Sequence, residues 1–250
     1  NAIPFHLEKY FIDKGYRSVR VYNFGVVSSV ARQQLHFLFE DVVDKNPDLV
    51  VFYNGANAVM QPAFWDPRPG YPTDFFVLER GVELIKGEYG ILEIGTLFLM
   101  KSKVVRLIPY FREYVLGVRL TQITNLREES KAGTDDWRQK ISVDYAGAME
   151  KAHQMGISYG FDVAVFLQPL VNFKQPLHEN EERFHYANDH TEKTYDAISS
   201  LMNEISNKNE DLTFVDLRNL FDGIDDHVFL DHVHIYDSFK RLVAKVLFYK

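Results

Sequence analysis

Apolar side chains recur at helical spacing near the start of the chain, at Ile3, Leu7, Tyr10 and Phe11, and Gly15 stands where such a helix stops. The period then shortens. Val19-Arg20-Val21-Tyr22-Asn23-Phe24 alternates as a half-buried strand does and ends at Gly25. Ser29 is placed to cap a helix over Val30–Val43, closed by Asn46-Pro47. Leu49-Val50-Val51-Phe52-Tyr53 is a continuous β-branched and aromatic run, the pattern of a parallel strand covered on both faces.

From Met60 to about Thr134 this regularity lapses. Pro62, Pro67, Pro69, Gly70 and Pro72 make the start turn-rich, and the middle is aromatic and aliphatic, so a loop and helical insertion is expected over 60–134. Asp135 or Asp136 is placed to cap a long helix from Trp137 to Met155, with Gly156 and Gly160 near its end. Phe161–Leu167 is a second buried strand, stopped by Pro169, and Val171–Asp189 reads as polar loop. Thr191 can cap a helix to Ile205. Leu212–Val215 is a strand, and Phe239–Phe248 closes the chain as an amphipathic helix. Strands alternating with helices predict an α/β fold with a parallel sheet covered on both faces. Ligands of such sheets bind at the carboxyl ends of the strands. Gly25, the Asn54–Asn57 turn and Asp231–His234 all fall at that edge.

Composition narrows the function classes. The 250 residues are 46% hydrophobic and 25% charged, ordinary values for one globular domain spanning 1–250. Net charge is −7 and the 28 basic residues are scattered, which argues against nucleic acid as a partner. The absence of cysteine excludes disulfides and thiolate metal sites. No apolar run reaches the roughly 18 residues of a membrane span, since Glu93 and Gly95 interrupt Ile91–Met100.

Three segments can carry chemistry. In Asp231-His232-Val233-His234 a carboxylate three residues before an imidazole can hydrogen-bond one ring nitrogen and leave the other as a general base. The same spacing also fits a capping Asp beside a partly exposed His. Asn54-Gly55-Ala56-Asn57 follows a buried strand; the Asn57 amide can point N–H donors at a developing oxyanion, or the four residues can form an ordinary strand-to-helix turn. Gly25 can offer a backbone N–H or simply end its strand.

Taken in order, Val21–Gly25, Val50–Asn57 and Phe229–His234 resemble the second, third and fifth conserved blocks of SGNH/GDSL hydrolases. Val165-Phe166-Leu167-Gln168-Pro169 and Phe214-Val215-Asp216-Leu217 are similar to that family's fourth strand and to the segment leading into its fifth block. The resemblance covers most of the chain outside 60–134. It implies a three-layer α/β/α sandwich of flavodoxin-like, SGNH-hydrolase type and a serine-type ester hydrolase. The substrate would be a carbohydrate or lipid ester, with O-acetyl among the acyl groups. His234 would be the general base, Asp231 its orienting carboxylate, and Gly25 and Asn57 the oxyanion hole. No metal or organic cofactor is implied. An exported, periplasmic or membrane-tethered location is implied for bacterial members.

Departures from the family pattern accompany these matches. No Gly-Asp-Ser or Gly-Gly-Ser turn is present: the opening Asn1-Ala2-Ile3-Pro4-Phe5-His6-Leu7-Glu8 resembles the helix that follows that block. Ala58 stands where the third block usually carries Asp, and Phe239-Lys240 replaces a more usual Gly-Asn pair. The family's first strand lies between the strands ending at Gly25 and Asn54. Leaving that gap empty would orphan several backbone groups at roughly 1–3 kcal/mol each, against a total stability of roughly 5–15 kcal/mol. The nucleophilic serine is therefore expected upstream of residue 1. Ser28 and Ser29 are the nearest in-chain candidates, with capping as their other role. The alternative is a catalytically inactive binding protein of the same fold.

Trp65 and Tyr71, with Phe64, Phe75 and Phe76, are candidates for a substrate pocket or for a small satellite core under a long loop. His178, His185, Asp189 and His190 read as a solvated loop, because metal ligation needs converging ligands at a recognisable spacing. Leu97–Val118, apolar with Lys101, Lys103, Arg106 and Arg112 interspersed, reads as a core-facing helix with basic outer positions, the alternative being a membrane-surface or partner-binding helix.

Overall fold

The computed structural model describes residues 2–73, positions 75, 76, 78, 79, 82 and 86, and residues 123–185 and 189–249. Helix α1 is Ile3–Asp13 and α2 is Ala31–Phe37, continued by a wide π turn over Leu38–Val42 and a tight 3₁₀ turn over Val43–Lys45. Then come β1 (Leu49–Asn54), α3 (Ala56–Phe64), α4 (Asp135–Tyr159), β2 (Asp162–Leu167), α5 (Asp189–Lys208), β3 (Leu212–Asp216) and α6 (Asp237–Tyr249). The sheet has three strands in the order β1-β2-β3, all parallel. Asn54 pairs with Leu167 and Leu167 with Asp216, so the three carboxyl ends lie level.

Strand β2 explains the layering. Val163, Val165 and Leu167 pack on one face among Leu38, Ala146, Met149, Tyr195 and Ile198, from α2 and its continuation, α4 and α5. Ala164 and Phe166 point the other way, toward Leu217 and the α6 residues Val246 and Leu247. Helix α1 joins that second layer through Tyr10 and Phe11 against Phe248. The result is the expected three-layer α/β/α sandwich. Burying one such aliphatic or aromatic side chain contributes about 1.5–3 kcal/mol, which makes β2 the element least tolerant of polar substitution.

Several local expectations are corrected. Residues 19–24 form no strand, and Tyr22 is 75% exposed. Alternation creates a suitable face, but a strand also needs a ladder partner; here the Val21 N–H donates to Glu8 Oε2 at 2.6 Å instead. Ser29 does not cap α2. The N-cap is Val30, whose N–H is taken by the Gln33 side chain, while the Ser29 hydroxyl donates back to Val26 O. Thr134, not Asp135 or Asp136, caps α4 by accepting from Trp137 N at 3.2 Å. Thr191 lies inside the first turn of α5 rather than ahead of it.

The insertion expected from Met60 begins later, because α3 continues through Pro62 to Phe64. The loop beyond it docks on α4: Trp137 Nε1 donates to Pro67 O at 2.6 Å and Asp66 is fully buried against Arg68. Residues 123–129 are helical. All of Leu97–Val118 and of Ile91–Met100, and most of the insertion's middle, lie outside the described residues. Among the described residues, no helix is long and apolar enough to cross a membrane.

Candidate active site

The turn after β1 is built for one conformation. Gly55 has φ +111°, a region closed to L side chains, and a Cβ there would stand 2.3 Å from Leu167 Cδ1. Immediately before it, buried Asn54 is held on both sides of its amide. Tyr145 donates its hydroxyl to Asn54 Oδ1 at 2.6 Å, and Asn54 Nδ2 donates to Gln34 Oε1. Asn57, in the first turn of α3, donates from its amide to Ser29 O at 3.1 Å, and Gln61 donates to Ser28 O at 3.3 Å. The loop carrying Gly25, Ser28 and Ser29 is thereby tied to α3. An amide nitrogen carries two hydrogens, so Asn57 keeps a second donor beyond the one spent on this tether. Gly25 has one N–H, and it donates to Asn23 Oδ1 at 3.0 Å.

The second segment arrives at the same edge. Val171, just beyond β2, donates its N–H to His232 O at 3.1 Å, and Gln168 N donates to Asn54 O at 2.7 Å. The Asp231–His234 loop and the Asn54–Asn57 turn therefore both stand at the carboxyl end of the sheet. Residues 228–236 form a short hairpin, with Leu230 N donating to His234 O at 2.7 Å and Tyr236 N to Val228 O at 3.0 Å. At its tip Asp231 Oδ1 accepts the N–H groups of Val233 and His234, and Oδ2 lies 2.7 Å from His234 Nδ1. Partial burial pushes the Asp231 carboxyl upward; the backbone N–H of His234 and Val233, with the imidazole, outweigh it and hold it below the usual carboxylate range. With Nδ1 committed, Nε2 of His234 is the nitrogen left to take a proton, on a side chain 76% exposed.

The in-chain serines differ. Ser29 is 3% exposed and its hydroxyl is engaged, donating to Val26 O and accepting from Gln34 Nε2. Ser28 is exposed, in a left-handed conformation at φ +58°, costly for a residue with a side chain. Among the described residues, no strand pairs with the outer edge of β1, where Leu49 is half exposed. Trp65 follows the last turn of α3, about 12 Å along the helix from Asn57, and is 44% exposed. Tyr71 is half-buried, its ring face covered by the Arg68 guanidinium at 4.0 Å and its edge against Phe75.

Sequence reasoning missed the support beneath the hairpin. Val171–Asp189 is not uniformly solvated: Lys174 and Glu181 are buried to 1% and 0% exposure and bonded to each other at 2.8 Å. Glu181 Oε1 also accepts the N–H groups of Val228 and Phe229, each at 2.7 Å. Burial pushes its carboxyl up, but Lys174 and the N–H groups of His178, Phe229 and Val228 prevail and lower it. Nothing in Glu179-Asn180-Glu181-Glu182 marks one of its acids as internal. His190 is not on a solvated loop either; it stacks on Trp137 at 4.7 Å within α5, and burial lowers its affinity for a proton. Among the described residues, no group of three or more His, Asp or Glu converges to hold a metal ion.

No protein-family model matches the chain, and no curated protein matches it. Among solved structures it is similar to an acetyl xylan esterase, AlAXEase, with a TM-score of 0.55 and 13% sequence identity over 99% of this chain and 89% of that one. At that identity the likeness is one of fold alone.

Proposed function

We propose that this chain forms the body of a serine-type ester hydrolase of SGNH/GDSL type that removes an acyl group from a carbohydrate or lipid ester. The observation that carries this reading is the 2.7 Å bond from Asp231 to His234 Nδ1, on a hairpin at the carboxyl edge of a parallel sheet. The name of the structural neighbour, an acetyl xylan esterase, favours O-acetyl carbohydrate within that class.

In the proposed reaction His234 Nε2 takes the proton from a serine hydroxyl as its oxygen attacks the ester carbonyl carbon. The tetrahedral oxyanion is met by the second N–H of Asn57 and by the Gly25 N–H once it leaves Asn23 Oδ1. Collapse breaks the bond to the alcohol, which leaves with the proton from His234. Water then repeats the sequence on the acyl-serine, releasing the acid. Asp231 stays ionised and stabilises the imidazolium. The attacking serine is assigned to a strand pairing with the outer edge of β1. Ser28 is the in-chain runner-up.

The test is hydrolysis of p-nitrophenyl acetate by the intact protein and its His234→Ala variant. Hydrolysis that depends on His234 supports the reading, and hydrolysis indifferent to that change removes His234 as the base. The engaged hydroxyl of Ser29 favours a second reading, a binding protein with this fold and no hydrolysis. Binding of an acylated oligosaccharide by a wild type that releases no acid would establish it.

A further inference from the structure

We propose that Glu181 is the positioning residue of the Asp231–His234 pair, a buried carboxylate that sets the hairpin on which the two groups meet. The inference rests on the esterase reading for its functional meaning and on independent contacts for its geometry. Glu181 Oε1 accepts the N–H groups of two consecutive residues, Val228 and Phe229, and these begin the hairpin arm that leads into Asp231. Oε2 accepts from Lys174 Nζ at 2.8 Å and from His178 N at 3.0 Å. Lys174 Nζ also donates to Pro176 O at 2.6 Å, so the ammonium is fixed from a second side.

The partner arm is returned to the first by the Phe229–Ile235 bridge. His232 Nδ1 lies 2.9 Å from Phe184 O, three residues beyond Glu181, adding a second tether from the same loop. These ties run from 171–185 to the residues around Asp231 and His234, two of them to the backbone N–H groups of Val228 and Phe229 and one to the His232 ring.

A carboxylate is needed here for a chemical reason. All the groups facing Glu181 are donors: one ammonium and three backbone N–H groups. A carboxylate accepts on both oxygens, whereas an amide would turn N–H hydrogens against other donors on one side. A buried ion pair of this kind is weak evidence for stability, because apolar replacements are often tolerated. Its burial under a hairpin tip is better accounted for by orientation. A flexible four-residue turn would let the imidazole leave Asp231, and misplacement of a catalytic base by about 1 Å can cost about 100-fold in rate.

The test reads the His234 ring nitrogens by NMR at a pH where the ring is neutral, with amide hydrogen exchange alongside. Asp231→Asn supplies the reference for an imidazole without its carboxylate. In wild type the proton resides on Nδ1, and in Asp231→Asn it moves toward Nε2. Glu181→Gln and Lys174→Met/Glu181→Leu are expected to move it the same way. Both should speed exchange at Val228 and Phe229 by about 10- to 100-fold while the β2 amides stay protected. Variants that keep the wild-type tautomer with exchange unchanged overturn the proposal and leave the dyad intact. If Asp231→Asn itself changes nothing, the esterase reading fails and the positioning role fails with it. Loss of β2 protection in both Glu181 variants would make Glu181 a residue of the whole fold, which also overturns the proposal.

Discussion

The Tyr145 hydroxyl donates to Asn54 Oδ1 across 2.6 Å, linking the middle of α4 to the last residue of β1. Both groups are buried, and burial raises the affinity of the Tyr145 oxygen for its proton, so it remains a donor throughout the physiological range. The bond fixes the residue from which Gly55 turns the chain toward Asn57. A site at a strand end is only as well placed as that final residue.

Removing the donor should be costly. Tyr145→Phe leaves Asn54 Oδ1 without its α4 donor at a buried position, and about 1–3 kcal/mol of stability should disappear. Urea unfolding followed by far-ultraviolet circular dichroism measures it. A change below about 0.5 kcal/mol, the scatter of neutral substitutions, would show that the bond contributes nothing.

Gly55→Ala combines two penalties, a backbone at φ +111° and a Cβ 2.3 Å from Leu167 Cδ1. We expect about 2–5 kcal/mol of destabilisation. Adding Leu167→Val relieves the contact but not the dihedral, so the double variant should recover no more than part of the loss. Full recovery would mean that the backbone carries no strain.

Asn57→Ala should lower kcat for p-nitrophenyl acetate by about 10²–10³-fold with a much smaller change in KM, the signature of an oxyanion donor. Gln61→Ala removes the neighbouring tether to Ser28 O and should cost stability rather than kcat. Equal kinetic losses in the two variants would reduce Asn57 to a tether as well.

The Glu181 carboxyl is held below its usual range in the folded chain, so its contribution to stability is fully present above the unfolded value near about 4.3 and is lost as pH falls through the lower folded value. The stability gap between wild type and Glu181→Gln should therefore be constant from neutrality down to about pH 5 and narrow below about pH 4. Thermal unfolding across that range tests the sign. A gap that widens in acid would mean that the folded chain prefers the protonated carboxyl.

How far the sequence was legible follows from which interactions are local. Each β-strand of the sheet is a short run rich in β-branched and aromatic residues, so β1, β2 and β3 were readable within a residue or two. Asp231 and His234 were readable too: three residues apart on one turn, they meet wherever that turn is placed. Residues 19–24 were not, because alternation is a property of the segment and pairing is a property of its neighbour. Ser29, Asp135 and Thr191 are capping residues by type, yet the caps went to Val30 and Thr134, where the backbone leaves the helix.

Glu181 and Lys174 marked the limit from the other side. Their charges suit a solvated loop, and only the closure of 171–185 over the hairpin turns them inward. By itself, then, the sequence determined the α/β class, the parallel strands and the Asp231–His234 pairing, since these depend on local apolar content and short-range geometry. The tertiary structure alone decided what supports that pair and how the Asn57 amide is engaged, because the bonds from Glu181 to Val228 and Phe229 and from Asn57 to Ser29 join residues tens of positions apart, whose meeting no local pattern encodes.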